Sequence, residues 1–274
     1  MKAHVLRLLF IGDIVGRPGI NIVTSTIPGF RREQSIDLVI ANSENADGGS
    51  GLTPSIYRKL IAAGIDCITL GDHIYKKKDI IQILDDKSDI VKPANYPATA
   101  PGKTWTVVES ETGYKVAVFS LMGRVFMRPV DCPFTAADRV LAEIPEDVTI
   151  RFCDFHAEAT SDKQLMGRFL DGRVSACLGT HTHVPTADER VLTGGTAFIC
   201  DVGMTGPHES ILGRDIYKVL TATTTFRPLP FSVATDDVRI NGAIVEIDTK
   251  TGKATRIERL CLTEKDAAMY ESDE

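Results

Sequence analysis

The sequence predicts an α/β fold. Short apolar runs alternate with longer helical stretches along the chain. The runs are continuous, as in strands buried on both faces. Ionisable residues stand directly after several of them, and in open α/β sheets ligands bind beyond that edge.

Leu6 to Gly12 reads as a buried strand, followed by a Gly16-Arg17-Pro18-Gly19 loop and a helix from about Ile20 to Arg32 that Pro28 should bend or shorten. Asp37 to Asn42 is a second strand and runs into the polar loop Ser43 to Gly51. Thr53 then caps a helix with Pro54 in its first turn. Asp66 to Leu70 is a third strand, ending in Gly71-Asp72-His73. Thr104 to Val108 and Lys115 to Ser120 form a hairpin across Glu111-Thr112-Gly113, and Ala136 to Glu143 is a helix. Val148 to Phe155 is a strand ending in His156. Ser161 caps a helix to Leu170, and Arg173 to Leu178 leads into Gly179-Thr180-His181-Thr182-His183. The segment 226–262 reads as strands with turns near Asn241-Gly242 and at Thr249 to Gly252, and the acidic end 270–274 reads as frayed. No linker or repeat divides the chain, so residues 1–274 are expected to form one domain.

Composition narrows the function classes. A net charge of -6 argues against broad nucleic-acid binding, which needs a basic face. No apolar run approaches a membrane span, and Asp13 breaks the first run without a cleavage site after it. The expectation is a cytoplasmic protein without a membrane partner. The six cysteines are scattered, which suits buried thiols in a reducing compartment and gives a zinc knuckle no support.

Four of the six histidines, His73, His156, His181 and His183, fall at strand ends beside Asp13, Glu44 and Asn45. Imidazole and carboxylate together suit Mn, Fe or Zn. One ion needs three or four protein ligands, so this set is too large for one and sufficient for two. In an extended His181-Thr182-His183 segment, both rings would point to one face. Each feature alone has an ordinary explanation: a loop cap at Asp13, a polar turn at Glu44-Asn45, a core histidine at His156, surface rings at His181 and His183. Their coincidence at successive strand ends favours a shared site. Gly48-Gly49-Ser50-Gly51 lacks the Lys-Ser/Thr of a P-loop, and no G-x-S-x-G elbow is present.

The order Gly12-Asp13, Glu44-Asn45, Gly71-Asp72-His73, His156, Gly179-Thr180-His181-Thr182-His183 resembles the calcineurin-like binuclear metallophosphoesterases. Phe10 to Gly19, Asn42 to Asn45, Arg124 to Met127, Asp154 to Ser161, Thr186 to Arg190 and Asp201 to Pro207 are similar to the bacterial YmdB-like phosphodiesterases. The resemblance implies two facing mixed β-sheets flanked by helices. It implies hydrolysis of cyclic nucleotides, with 2',3'-cyclic phosphates favoured, by two-metal activation of a bridging hydroxide. Asp13, Glu44, Asn45 and His183 would hold the first metal, with Glu44 bridging. Asp72, His156 and His181 would complete the second, and His73 would be the proton donor. The two ions would be iron or manganese, with zinc or magnesium as alternatives. The family has Gly-Asn-His where this chain has Gly71-Asp72-His73, so one extra negative charge enters the ligand set.

Two other readings remain. One keeps the site but makes the substrate a phosphomonoester or nucleotide. The other is a regulator acting mainly through a protein or RNA partner. Homo-oligomerisation is expected of such an enzyme, without a sequence mark for the interface. Gly48 to Gly51 and Arg124 to Arg128 are candidates for substrate contact, and Asp154, Glu158, Asp188 and Glu189 for support of the histidines.

Overall fold

The computed structural model describes residues 5–270. Its strands are β1 (Val5–Ile11), β2 (Leu38–Asn42), β3 (Cys67–Thr69), β4 (Ile90–Val91), β5 (Trp105–Glu109), β6 (Lys115–Met122) and β7 (Ile150–His156). There follow β8 (Ala176–Thr180), β9 (Arg190–Val191), β10 (Ala197–Ile199), β11 (Gly206–Pro207), β12 (Val238–Asp248) and β13 (Ala254–Thr263). The helices are α1 (Gly16–Glu33), α2 (Pro54–Ala62), α3 (Ile80–Asp86), α4 (Pro133–Glu143), α5 (Thr160–Leu170), α6 (Ile216–Thr225) and α7 (Glu264–Ala267).

The strands form two mixed sheets. The first has the order β11-β12-β1-β2-β3-β4, with β13 paired to β12; the second is β5-β6-β7-β8-β10-β9. β1, β2, β3 and β4 are parallel neighbours, as are β6, β7, β8 and β10. Successive strand side chains point to opposite faces, which explains the unbroken apolar runs. Leu8 and Phe10 face inward between the sheets, where they join Val118, Phe152 and Leu178. The Phe10 and Phe152 rings lie 4.8 Å apart. Leu9 and Ile11 face outward into a cluster with Val23, Ile27 and Phe30 of α1. On the far side, Phe119 and Phe155 pack with Val140 of α4 and Met166 of α5. The result is two facing sheets between helical layers, as the resemblance implies. Four of the six cysteines are buried, and all six are free.

Several local expectations need correction. Gly16 to Gly19 is not a loop but the first turn of α1, and the helix runs through Pro28 to Glu33. The cost of an internal proline, about 3 kcal/mol, is offset by burial of Ile27 and Phe30 on either side. Pro54 does open α2, but Thr53 makes no side-chain cap bond. Ser161 lies inside α5, whose cap position is Ala159. Asn241-Gly242 is not a turn: both residues lie within β12. A Cβ on Gly242 would collide with the Phe10 carbonyl, so the glycine serves close strand approach. The buried Asn241 amide donates to Met204 O at 3.0 Å. Residues 226–237 lie outside the named strands, and α6 precedes them. At the end of the chain, the Tyr270 ring packs edge-on against Phe30 at 5.0 Å, while residues 271–274 lie outside the described residues. No helix among the described residues is long and apolar enough to cross a membrane.

Candidate metal centre

Parallel strands deliver their C-terminal ends to one edge of the sandwich. Asp13 follows β1, Glu44 and Asn45 follow β2, and Asp72 and His73 follow β3. From the second sheet come His156, the last residue of β7, and His181 and His183 beyond β8. The structure brings all of these side chains together.

Glu44 stands at the centre. Its Oε1 lies 3.1 Å from His156 Nε2 and accepts from Asn45 Nδ2 at 3.3 Å. Its Oε2 accepts from the His73 backbone N–H at 2.9 Å. On one side, Asp72 Oδ1 lies 3.3 Å from His156 Nε2, and His181 Nδ1 lies 3.0 Å from the same nitrogen. Donor atoms of Glu44, Asp72, His156 and His181 all fall within 4.8 Å of one another. On the other side, His183 Nε2 lies 3.2 Å from Asn45 Nδ2 and 3.8 Å from Asp13 Oδ1. Turning the Asn45 amide over would put its oxygen among the same neighbours. His73 is partly exposed beside the cluster, with Nδ1 2.6 Å from Asn45 Oδ1 and Nε2 3.7 Å from Asp72 Oδ2.

His181-Thr182-His183 is not extended, contrary to the expectation. His181 and His183 have φ of 98° and 66°, a region that costs non-glycine residues about 1–3 kcal/mol each. Two buried carboxylates hold the bend. The His181 N–H donates to Asp13 Oδ2 at 3.1 Å. Asp201 accepts from Thr182 N at 3.0 Å, Thr182 Oγ1 at 2.7 Å and Gly203 N at 2.8 Å. Lys163 Nζ reaches Asp201 at 2.6 Å, and both side chains are at most 3% exposed.

Asp154 supports His156 through an intermediary. It accepts from Thr180 Oγ1 at 2.6 Å, from Thr69 Oγ1 at 2.6 Å and from Asn42 Nδ2 at 2.9 Å, while Thr180 Oγ1 lies 2.9 Å from His156 Nδ1. Burial pushes the Asp154 carboxyl up to about 6. Glu158 approaches His181 Nε2 directly, at 3.3 Å. Asp188 and Glu189 do neither: Asp188 binds Thr186 and Gln164, and Glu189 pairs with Arg259. Nothing in the local sequence marks Asn42, Lys163 or Asp201 as part of the site, although Asn42 and Asp201 fall inside the Asn42 to Asn45 and Asp201 to Pro207 motifs.

Burial raises the Asp13 carboxyl above its ordinary value, and the His183 and His156 imidazoles offset this only in part. Burial also opposes ionisation of Glu44, but the adjacent His156 outweighs it and the carboxyl lies low. Asp72 behaves likewise: burial is overcome by its bond to His156. Burial, then the charge on His156, push His181 down to about 4, which leaves a neutral imidazole with one unprotonated nitrogen. At His156 burial is overcome by Glu44 and Asp72, and the group sits well above its ordinary value. A cation taken up here must displace that proton.

Three carboxyls, three imidazoles and an amide, with no thiolate, make a nitrogen–oxygen donor set that fits divalent Fe, Mn or Zn. A cavity of about 370 Å³ opens over the cluster, lined by Glu44, Asn45, His73, His181 and His183 on one side. Two larger hollows of about 630 and 650 Å³ lie along α1 at Arg17, Pro18 and Asn21, and contain none of these residues.

The profile of the family described as YmdB-like protein matches residues 9–260. The chain belongs to the YmdB-like family. It is 45% identical to the 2',3'-cyclic-nucleotide 2'-phosphodiesterase of Bacillus subtilis (strain 168), over 94% of this chain and 98% of that protein. A crystal structure of a hypothetical protein from Thermus thermophilus matches with a TM-score of 0.88 and 40% identity, covering 94% of this chain and all of the other. A novel phosphatase from Mycoplasma pneumoniae matches with a TM-score of 0.88 and 31% identity, over 98% of this chain and 97% of the other. As a YmdB-like protein, the chain is a metal-binding hydrolase of the phosphodiesterase kind.

Proposed function

We propose that the protein hydrolyses nucleoside 2',3'-cyclic phosphates at a pair of metal ions held by this cluster. One observation carries the reading: Glu44 lies between two groups of donors, His156, Asp72 and His181 on one side and Asn45, Asp13 and His183 on the other. Asp13, Asn45 and His183 would hold one ion, Asp72, His156 and His181 the other, with Glu44 shared. Iron or manganese suits that set, with zinc or magnesium as alternatives. Bound there, the pair would supply charge for the phosphoryl oxygens and an acidified water as nucleophile. The small-molecule substrate, the cytoplasmic setting and a single catalytic domain over 1–274 belong to the same reading. The return of β12 to pair with β1 supports the last of these, because the ends of the chain share one sheet.

Opening the cyclic phosphate leaves a ribose alkoxide, which is a poor leaving group. His73 is the residue we assign to protonate it. The side chain is partly exposed at the cavity wall, and the Asn45 amide beside Nδ1 fixes the ring. His73→Ala is expected to lower kcat by about a hundredfold while metal content stays unchanged, the lower range for loss of a general acid. Turnover with metal analysis checks this. Loss of metal would make His73 a ligand, and unchanged kcat would remove the proton-donor role.

The reading itself is tested by hydrolysis of 2',3'-cyclic AMP beside 3'-AMP and 5'-AMP, with metal content assayed. Release of phosphate from the monoesters, without opening of the cyclic compound, would establish the phosphomonoesterase reading instead.

A further inference from the structure

The cavity over the cluster has two chemically different sides. Its polar floor carries the carboxylate and histidine residues. The same cavity is also lined by an apolar wall of Ile211, Leu212, Val219 and Phe231, together with Arg214. These residues come from the 211–231 stretch, which contributes none of the cluster's carboxylates or imidazoles.

This wall is fastened to the floor. The Leu212 carbonyl lies 3.1 Å from His183 Nδ1. The Arg214 guanidinium donates to the carbonyls of Gly48 and Gly49, which belong to the loop following Glu44. Arg214 is thus occupied at both terminal nitrogens. The wall itself remains open: Phe231 is 47% exposed, Leu212 51% and Ile211 40%. Small-molecule sites commonly combine an apolar wall with a few convergent polar groups, and about 370 Å³ lies within their usual range.

We propose that this wall receives the nucleobase of the substrate, with the Phe231 ring as its stacking surface. The inference rests on the cyclic-nucleotide reading above. A phosphate bound at the floor places the attached ribose and base in the remaining space of the same cavity, against the apolar side. Every base offers a π-face, so stacking supplies affinity without reading the hydrogen-bonding edge. The wall presents apolar side chains, and its one guanidinium is already bonded to Gly48 and Gly49. Phe231 is therefore a positioning residue that favours nucleotides over base-free cyclic phosphates while discriminating weakly among bases.

The test compares 2',3'-cyclic AMP, 2',3'-cyclic CMP and glycerol 1,2-cyclic phosphate, which keeps the five-membered ring and lacks a base. Phe231→Ala should raise KM for both nucleotides by about tenfold and leave kcat within about twofold. The base-free compound should keep its kcat/KM within the same margin, and Phe231→Tyr should restore nucleotide KM. An equal loss on all three substrates would overturn the proposal and make Phe231 a packing residue of the loop. Unchanged nucleotide KM in Phe231→Ala would overturn it as well. Failure of the parent reading looks different, because the unaltered protein would then open none of the three cyclic phosphates.

Discussion

Glu44→Gln is expected to lower turnover of 2',3'-cyclic AMP on the order of 10³-fold, the upper range for loss of one electrostatic contact in an active site. The carboxylate is wholly buried and meets His156, Asn45 and His73 through its two oxygens. A glutamine has the same shape but one acceptor oxygen and no charge. It can satisfy the His73 N–H or the Asn45 amide, and it cannot neutralise a cation on either side. Under the two-ion proposal, bound metal should therefore fall from two ions per chain to one or fewer, as elemental analysis of gel-filtered protein would record. The circular dichroism spectrum should not change, since this side chain lies outside the apolar clusters that hold the sheets and helices together. Two retained ions would show that Glu44 is not shared between them.

Lys163→Met is expected to produce the largest loss of stability. The Lys163–Asp201 pair is buried at both ends, and removing one partner leaves an uncompensated charge. That costs about 3–5 kcal/mol. For a chain of this size the melting temperature should fall by about 10 °C. Adding Asp201→Asn removes the stranded charge and should recover part of the loss. Activity should fall in this double variant, because Asp201 also accepts from Thr182 and Gly203 and so holds the His181–His183 bend. Calorimetry and turnover on the two variants separate these effects. Recovered stability with undiminished turnover in the double variant would show that the bend does not depend on the carboxylate.

These two residues also show what the sequence discloses. Glu44 was legible because it directly follows a buried apolar run, where a loop carboxylate meets a sheet edge. The same logic found Asp13, His156, His181 and His183, whereas Asp72 was indicated only by the resemblance to the metallophosphoesterases. Lys163 was not legible, because a lysine in an amphipathic helix normally faces water and its partner lies 38 positions away in sequence. Asn241-Gly242 misled for a related reason. Its local chemistry favours a turn, but close approach to the Phe10 carbonyl decides the matter, and that is a tertiary contact. The 211–231 wall has no signal of its own: its apolar residues are scattered among polar ones, and only the fold carries them over the site.

The position of β12 has a consequence for the nascent protein. The strand that fills the edge of β1, pairing Ile11 with Gly242, is made about 230 residues later. At roughly 5–20 residues per second, the growing chain waits tens of seconds on the ribosome with that edge open. Asp13 sits just past it, and the neighbouring Gly12 N–H bonds to the carbonyl of Asn241. The Asp13 end of the carboxylate and histidine cluster is therefore fastened only after β12 has been made, and stable metal loading should follow that step. An unpaired apolar strand during that interval invites association with other chains, which makes early β1 the segment where a chaperone would be of most use.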